Sequence, residues 1–68
     1  MSVSVRVNGR DEQLTPGATI AALIERHGLR TDWVVVERNG DPVQRARFSE
    51  VELTEGDRVE IVRAVAGG

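Results

Sequence analysis

Along the first residues of the chain, Val3, Val5 and Val7 alternate with Ser4 and Arg6. A period of two marks a strand with one face against a core. Asn8-Gly9 follows, and residues that accept positive φ at this point predict a tight hairpin turn. A second strand then runs from about Asp11 to Leu14 and stops at Thr15-Pro16-Gly17, where proline withholds a backbone donor. Thr19 is placed to cap a helix in which Ile20, Leu23, Ile24 and His27 fall at i, i+3, i+4 and i+7, while Glu25 and Arg26 point away. Gly28 closes that helix, with Leu29 available for the apolar contact that accompanies a left-handed end.

Trp33-Val34-Val35-Val36 is a nearly continuous β-branched run, the pattern of a strand inside a sheet rather than at its edge. Asn39-Gly40-Asp41 turns the chain around. A short, poorly patterned piece from Val43 to Phe48 follows, then Val51 and Leu53, and Thr54-Glu55-Gly56-Asp57 makes another turn. The last strand, Arg58 to Val65, sets Val59, Ile61 and Arg63 against Glu60, Val62 and Ala64. The order strand, strand, helix, strand, short strand, strand predicts one helix on one mixed sheet of four to five strands, with the first and last strands parallel. That is an α+β domain of the β-grasp type seen in ubiquitin. A ferredoxin-like alternative needs a second helix that residues 40–49 are too short and irregular to supply.

Length fixes the domain count at one, spanning residues 1–68 with a flexible C-terminal tail expected at about 65–68. A deep substrate cavity would remove packing that so short a chain needs, so an independent enzyme is disfavoured. Eleven acidic residues face nine basic ones, all arginine and scattered along the chain, and the net charge is -2. A nucleic-acid surface needs clustered cations and stacking aromatics, and only Trp33 and Phe48 are aromatic here. Cysteine is absent, which removes disulfides, Cys-based zinc sites and a thiol nucleophile. Without a signal-like or membrane-length apolar run, the expected location is the cytoplasm, away from membranes.

The remaining candidates for chemistry are few. His27, the lone histidine, lies at the helix end where a cation is favoured by the dipole, and reads as structural. Ser2, Ser4 and Ser49 have no evident base. The pairs Glu50/Glu52 and Glu55/Asp57 read as solvated turn carboxylates, and Trp33 reads as core or sheet-edge packing. No catalytic or metal site is expected. The C-terminus differs, because Arg63-Ala64-Val65-Ala66-Gly67-Gly68 follows a strong strand directly. With glycine at about 7% of ordinary sequence, a chance Gly-Gly end arises in roughly one chain in 200, which makes the pair a moderate signal. Two glycines put the Gly68 carboxylate on a thin arm that fits a channel too narrow for a Cβ. Ionised at neutral pH, it can attack the α-phosphate of ATP to give an acyl adenylate, which a sulfur or amine nucleophile then opens.

The stretch Gly56-Asp57-Arg58-Val59-Glu60-Ile61-Val62-Arg63-Ala64-Val65-Ala66-Gly67-Gly68 resembles the closing strand and tail of the bacterial thiamine-biosynthesis sulfur carriers, the ThiS-like proteins. Asn8-Gly9, Gly17-Ala18-Thr19-Ile20 with Leu23-Ile24, and Val34 through Gly40 extend the likeness over nearly the whole chain. Pro42-Val43-Gln44-Arg45 departs from the Pro-Arg pair common in that family, a difference expected to stay within a loop. The resemblance implies that Gly68 is adenylated by a ubiquitin-activating-like enzyme using ATP, no cofactor being held by the carrier itself. Sulfur from a donor such as a cysteine desulfurase then replaces AMP, and the thiocarboxylate serves thiazole synthase. Val65, Ala66 and Gly67 would be the tail gripped by both enzymes. Competing readings are the small subunit of molybdopterin synthase, which tends to be longer, a carrier for another sulfur pathway, and a ubiquitin-like protein modifier or plain interaction domain.

Overall fold

The computed structural model describes residues 1–64 of the chain. Strands β1 (Val3–Val7) and β2 (Arg10–Leu14) pair antiparallel, Val7 opposite Arg10 and Val3 opposite Leu14. Asn8 and Gly9 join them at φ 50° and 83°, the twist that a two-residue hairpin requires. Helix α1 (Ile20–Arg26) starts at Thr19, whose Oγ1 accepts the Ala22 amide at 3.1 Å. It ends as the glycine predicts: Gly28 takes φ 73°, its N–H donates to the Glu25 carbonyl and the Leu29 N–H to that of Ile24. Strands β3 (Val34–Arg38), β4 (Asp41–Val43) and β5 (Arg58–Arg63) complete a five-stranded sheet in the order β2-β1-β5-β3-β4. Since β1 and β5 run parallel and the other neighbours antiparallel, the sheet is mixed, and with one helix it is the β-grasp arrangement expected.

One face of the sheet is closed. Val5, Val7, Leu14, Val34, Val36, Val59 and Ile61 point inward against Ile20, Leu23 and Ile24 of α1, all nearly inaccessible. Each such aliphatic side chain contributes about 1.5–3 kcal/mol on burial, and no other force in a cysteine-free domain is comparable. The segment that sequence pattern leaves poorly defined closes the side of this core. Phe48 and Leu53 are buried, and the segment's backbone also satisfies the start of the helix. The Ala21 N–H donates to the Phe48 carbonyl at 2.9 Å and that of Ile20 to the Val51 carbonyl at 3.0 Å.

Several local expectations change. Trp33 ends a 3-10 turn, Thr31–Trp33, and is 59% exposed rather than packed, because the strand begins one residue later. The short strand is Asp41–Val43 rather than the stretch from Val43 to Phe48, and Arg45–Arg47 forms a second 3-10 turn. Pro42 therefore lies in an edge strand, where a missing N–H is tolerated, and not in a loop.

Asp57 is the largest correction. It is 5% exposed rather than solvated, and it joins two parts of the sheet. Its Oδ2 accepts the Thr54 amide at 2.8 Å and Arg38 Nε at 3.0 Å, while Oδ1 accepts Asn39 Nδ2 at 3.0 Å. Asn39 Oδ1 in turn accepts the Arg58 amide at 2.9 Å. The β3–β4 turn is thereby tied to the start of β5. Burial by itself would push the Asp57 carboxyl up; the bonds from Thr54, Asn39 and Arg38 outweigh it and leave the group below its ordinary 3.8. A carboxylate lowered in the folded state adds stability above the unfolded value, and that stability is lost as pH falls through the folded value. The wild-type chain is therefore expected to lose stability on acidification below about pH 4 more steeply than Asp57→Asn. Asp57→Ala, which strands Arg38, is expected to cost about 3 kcal/mol at neutral pH. Urea denaturation across pH checks both, and parallel pH profiles for wild type and Asp57→Asn would contradict the assignment.

Candidate functional site

The predicted site residues Gly68, Gly67, Ala66 and Val65 lie outside the described residues, so the structure bears on the strand from which that segment issues. Strand β5 is the middle of five and is held on both edges. On the β3 side the register runs from Val59 opposite Arg38 to Arg63 opposite Val34, and the Ala64 N–H donates to the Trp33 carbonyl at 2.9 Å. On the β1 side the strand pairing covers Arg6 with Arg58 and Val7 with Val59. There the chain of β1 turns away, and a side chain takes over. Asn8 Nδ2 donates to the Ile61 carbonyl at 3.1 Å and Asn8 Oδ1 accepts the Ile61 amide at 2.8 Å, so the amide does what the next strand residue would have done. The Asn8 N–H adds a bond of 2.9 Å to the Val59 carbonyl.

Beside the end of β5 stands the 3-10 turn. Arg30 lies 5.1 Å from the Trp33 ring centroid and bonds Asp32 through two nitrogens, at 3.2 and 3.0 Å. The bond from the Arg30 guanidinium holds the Asp32 carboxyl below its ordinary value. Arg45 Nε closes the group by donating to the Thr31 carbonyl at 3.1 Å.

Other titratable candidates serve the framework. His27 Nε2 is 2.7 Å from Glu12 Oε2, joining the helix end to β2, as the structural reading of His27 requires. Ser2 donates to Gln13 Oε1 at 2.8 Å, and Ser4 Oγ accepts from Gln13 Nε2, so both hydroxyls face an amide and neither faces a base. Among the described residues no cluster of three His, Cys, Asp or Glu side chains is arranged to hold a metal ion. Two residues escaped the sequence reading. Asn8 is legible there as a turn former but not as a clamp on a strand 53 positions away, and Asp57 looked like any turn carboxylate.

The ThiS family model matches residues 5–68. The chain belongs to the ThiS family. It is 37% identical over 65 residues to the sulfur carrier protein ThiS of Bacillus subtilis, covering 94% of this chain and 98% of that one. It is also 32% identical over 62 residues to a thiazole synthase of Paramagnetospirillum magneticum, covering 91% of this chain but 19% of that protein's length. The crystal structure of the thiamine biosynthesis protein ThiS from Geobacter metallireducens superposes with a TM-score of 0.76 at 27% identity, over 97% of this chain and all of that one. The ubiquitin-like β-grasp fold of the family is thus the one seen here.

Replacing Asn8 by glycine keeps the positive φ and removes the side-chain clamp. Asn8→Gly is expected to lose about 1–2 kcal/mol and to speed hydrogen exchange at the Ile61 amide. Unchanged exchange at Ile61 would show that the clamp contributes nothing to holding β5.

Proposed function

We propose that this chain is a sulfur carrier of thiamine biosynthesis and that the Gly68 carboxylate is its working group. The observation that carries the reading is the family match through residue 68, which includes both terminal glycines of the sequence. The chemistry follows from the carboxylate. A ubiquitin-activating-like enzyme brings ATP, the Gly68 oxygen attacks the α-phosphorus and pyrophosphate leaves. A donor such as a cysteine desulfurase presents sulfur as a persulfide, whose outer sulfur displaces AMP at the carbonyl carbon to give an acyl persulfide; a thiol then attacks the donor's sulfur, so that the S–S bond breaks, the thiocarboxylate leaves and the two donor thiols are left as a disulfide. A carboxylate is a poor electrophile, so the adenylate supplies the leaving group that sulfur needs.

The chain acts as a co-substrate rather than a catalyst in this scheme, and the ATP belongs to the partner. Val65, Ala66 and Gly67 form the narrow lead that both partner enzymes grip. The likeness to about a fifth of a protein named thiazole synthase supports thiazole synthase as the sulfur acceptor. The proposed location is the cytoplasm, where ATP-driven adenylation takes place; among the described residues no helix is long and apolar enough to cross a membrane. A clamped β5 suits the role, because it fixes the end of the strand that precedes residues 65–68.

The chain without Gly68 is expected to keep the thermal midpoint of the full chain. With the adenylating enzyme of the same organism, the full chain should support ATP–pyrophosphate exchange and the shortened chain should not. Equal exchange with both chains would overturn Gly68 as the adenylated residue.

A further inference from the structure

The chain has two asparagines, Asn8 and Asn39, and a glycine follows each. Both pairs turn a hairpin, with φ of 50° and 83° at Asn8-Gly9 and of 53° and 87° at Asn39-Gly40. The turn accounts for the positive φ and asks nothing further of the asparagine side chain. Both side chains are nevertheless used, and on the same part of the chain. From the β1 edge, Asn8 holds Ile61 through its two amide atoms, at 3.1 and 2.8 Å, and Val59 through its own N–H. From the β3 edge, Asn39 Nδ2 donates to Asp57 at 3.0 Å, Asn39 Oδ1 accepts the Arg58 N–H at 2.9 Å, and the Asn39 N–H donates to the Arg58 carbonyl at 2.7 Å. Strand β5 is thus pinned on either side by an asparagine.

Asparagine followed by glycine is also a reactive pair. The glycine nitrogen, with no Cβ beside it, can reach the asparagine Cγ, and at Gly9 and Gly40 the place a Cβ would take has nothing within 4 Å. As the new N–C bond forms, the nitrogen gives up its proton, the bond from Cγ to Nδ2 breaks, and ammonia leaves. A succinimide ring remains. Water then opens it at either carbonyl, to aspartate or to isoaspartate, so the net change is water in and ammonia out with no oxidant or reductant. In the fold both amide atoms of each asparagine are bonded across to β5 or to Asp57 at its entry, and Cγ closes on the glycine nitrogen only after those bonds break.

We propose that Asn8 and Asn39 are deamidation sites which the folded chain protects with the same bonds that hold β5, so that reaction follows local opening of that strand and, once made, keeps it from closing. At Asn8 the product sets a carboxylate oxygen where Nδ2 stood, against the Ile61 carbonyl. Two acceptors then meet, and the clamp is gone. At Asn39 the new carboxylate faces that of Asp57, and like charges replace a hydrogen bond. Isoaspartate adds a main-chain atom to a two-residue turn and shifts the register that the turn sets. Neither asparagine belongs to the buried core, so the modification acts on the strand that precedes residues 65–68. It does so whether or not Gly68 carries sulfur.

The test incubates the full chain in warm neutral buffer with and without denaturing urea, and reads conversion at each asparagine by digestion and fragment mass spectrometry. Both asparagines are expected to react at least about tenfold more slowly in the folded chain than in the unfolded one. In urea too dilute to unfold the chain, conversion of Asn8 should quicken in step with hydrogen exchange at the Ile61 amide. Asn8→Asp and Asn39→Asp reproduce the aspartate products, and each should lower the thermal midpoint by about 5–10 °C. Equal rates in the folded and unfolded chains would overturn the protection. Conversion of Asn8 that stays constant in dilute urea while Ile61 exchange quickens would overturn its link to opening of β5. A wild-type midpoint in either aspartate variant would overturn the effect on β5 at that site.

Discussion

The position of β5 between β1 and β3 is the constraint on which the rest of this domain depends. A strand at the centre of a sheet has partners on both edges, and here three different devices supply them. Ordinary antiparallel pairing binds it to β3 as far as Arg63. Parallel pairing binds it to β1 at Arg58 and Val59, and the Asn8 amide extends that edge to Ile61. Asp57, just before the strand, fixes its entry by gathering Thr54, Arg38 and Asn39. Loss of any of these loosens the root of the segment that leads to Gly68, which links the stability of the fold to the proposed chemistry.

The division of labour between the two sheet faces follows from size. A chain of 68 residues has one helix to spend on covering its sheet, so one face becomes core and the other stays open. On the covered face, alternation in β3 and β5 delivers Val34, Val36, Val59 and Ile61 to α1. On the open face, the same alternation presents Val35, Glu37, Glu60 and Val62. Packing sets the first group tightly and leaves the second exposed.

Much of this was legible in the sequence because it is local. The Asn8-Gly9 turn, the Thr19 cap, the Gly28 end and the alternation in β1 and β5 each follow from neighbouring residues, and together they leave few ways to assemble one helix and one sheet. What escaped is nonlocal. Nothing near Asp57 in the chain announces that Arg38 and Asn39 will meet it, so a buried network looked like a solvated turn. The start of β3 was misplaced by one residue because Trp33 continues the apolar run while its backbone belongs to a 3-10 turn. Val43 to Phe48 lacked a pattern because its role is divided: Val43 ends an edge strand, and Phe48 reaches into the core under a loop that bonds the helix start. Of the candidate site, the sequence itself supplies the terminal glycines and the family likeness, whereas the clamp of Asn8 on β5 is visible only in the folded chain.

Whether Gly68 carries sulfur is read out by intact-protein mass spectrometry. The chain would be incubated with ATP, the adenylating enzyme of the same organism, a cysteine desulfurase with cysteine and a thiol reductant, then fragmented to locate any change. The expected result is a mass increase equal to the replacement of one oxygen by sulfur, confined to the C-terminal fragment that contains Gly68. An unchanged mass, under conditions in which the same enzymes load another carrier, would contradict it.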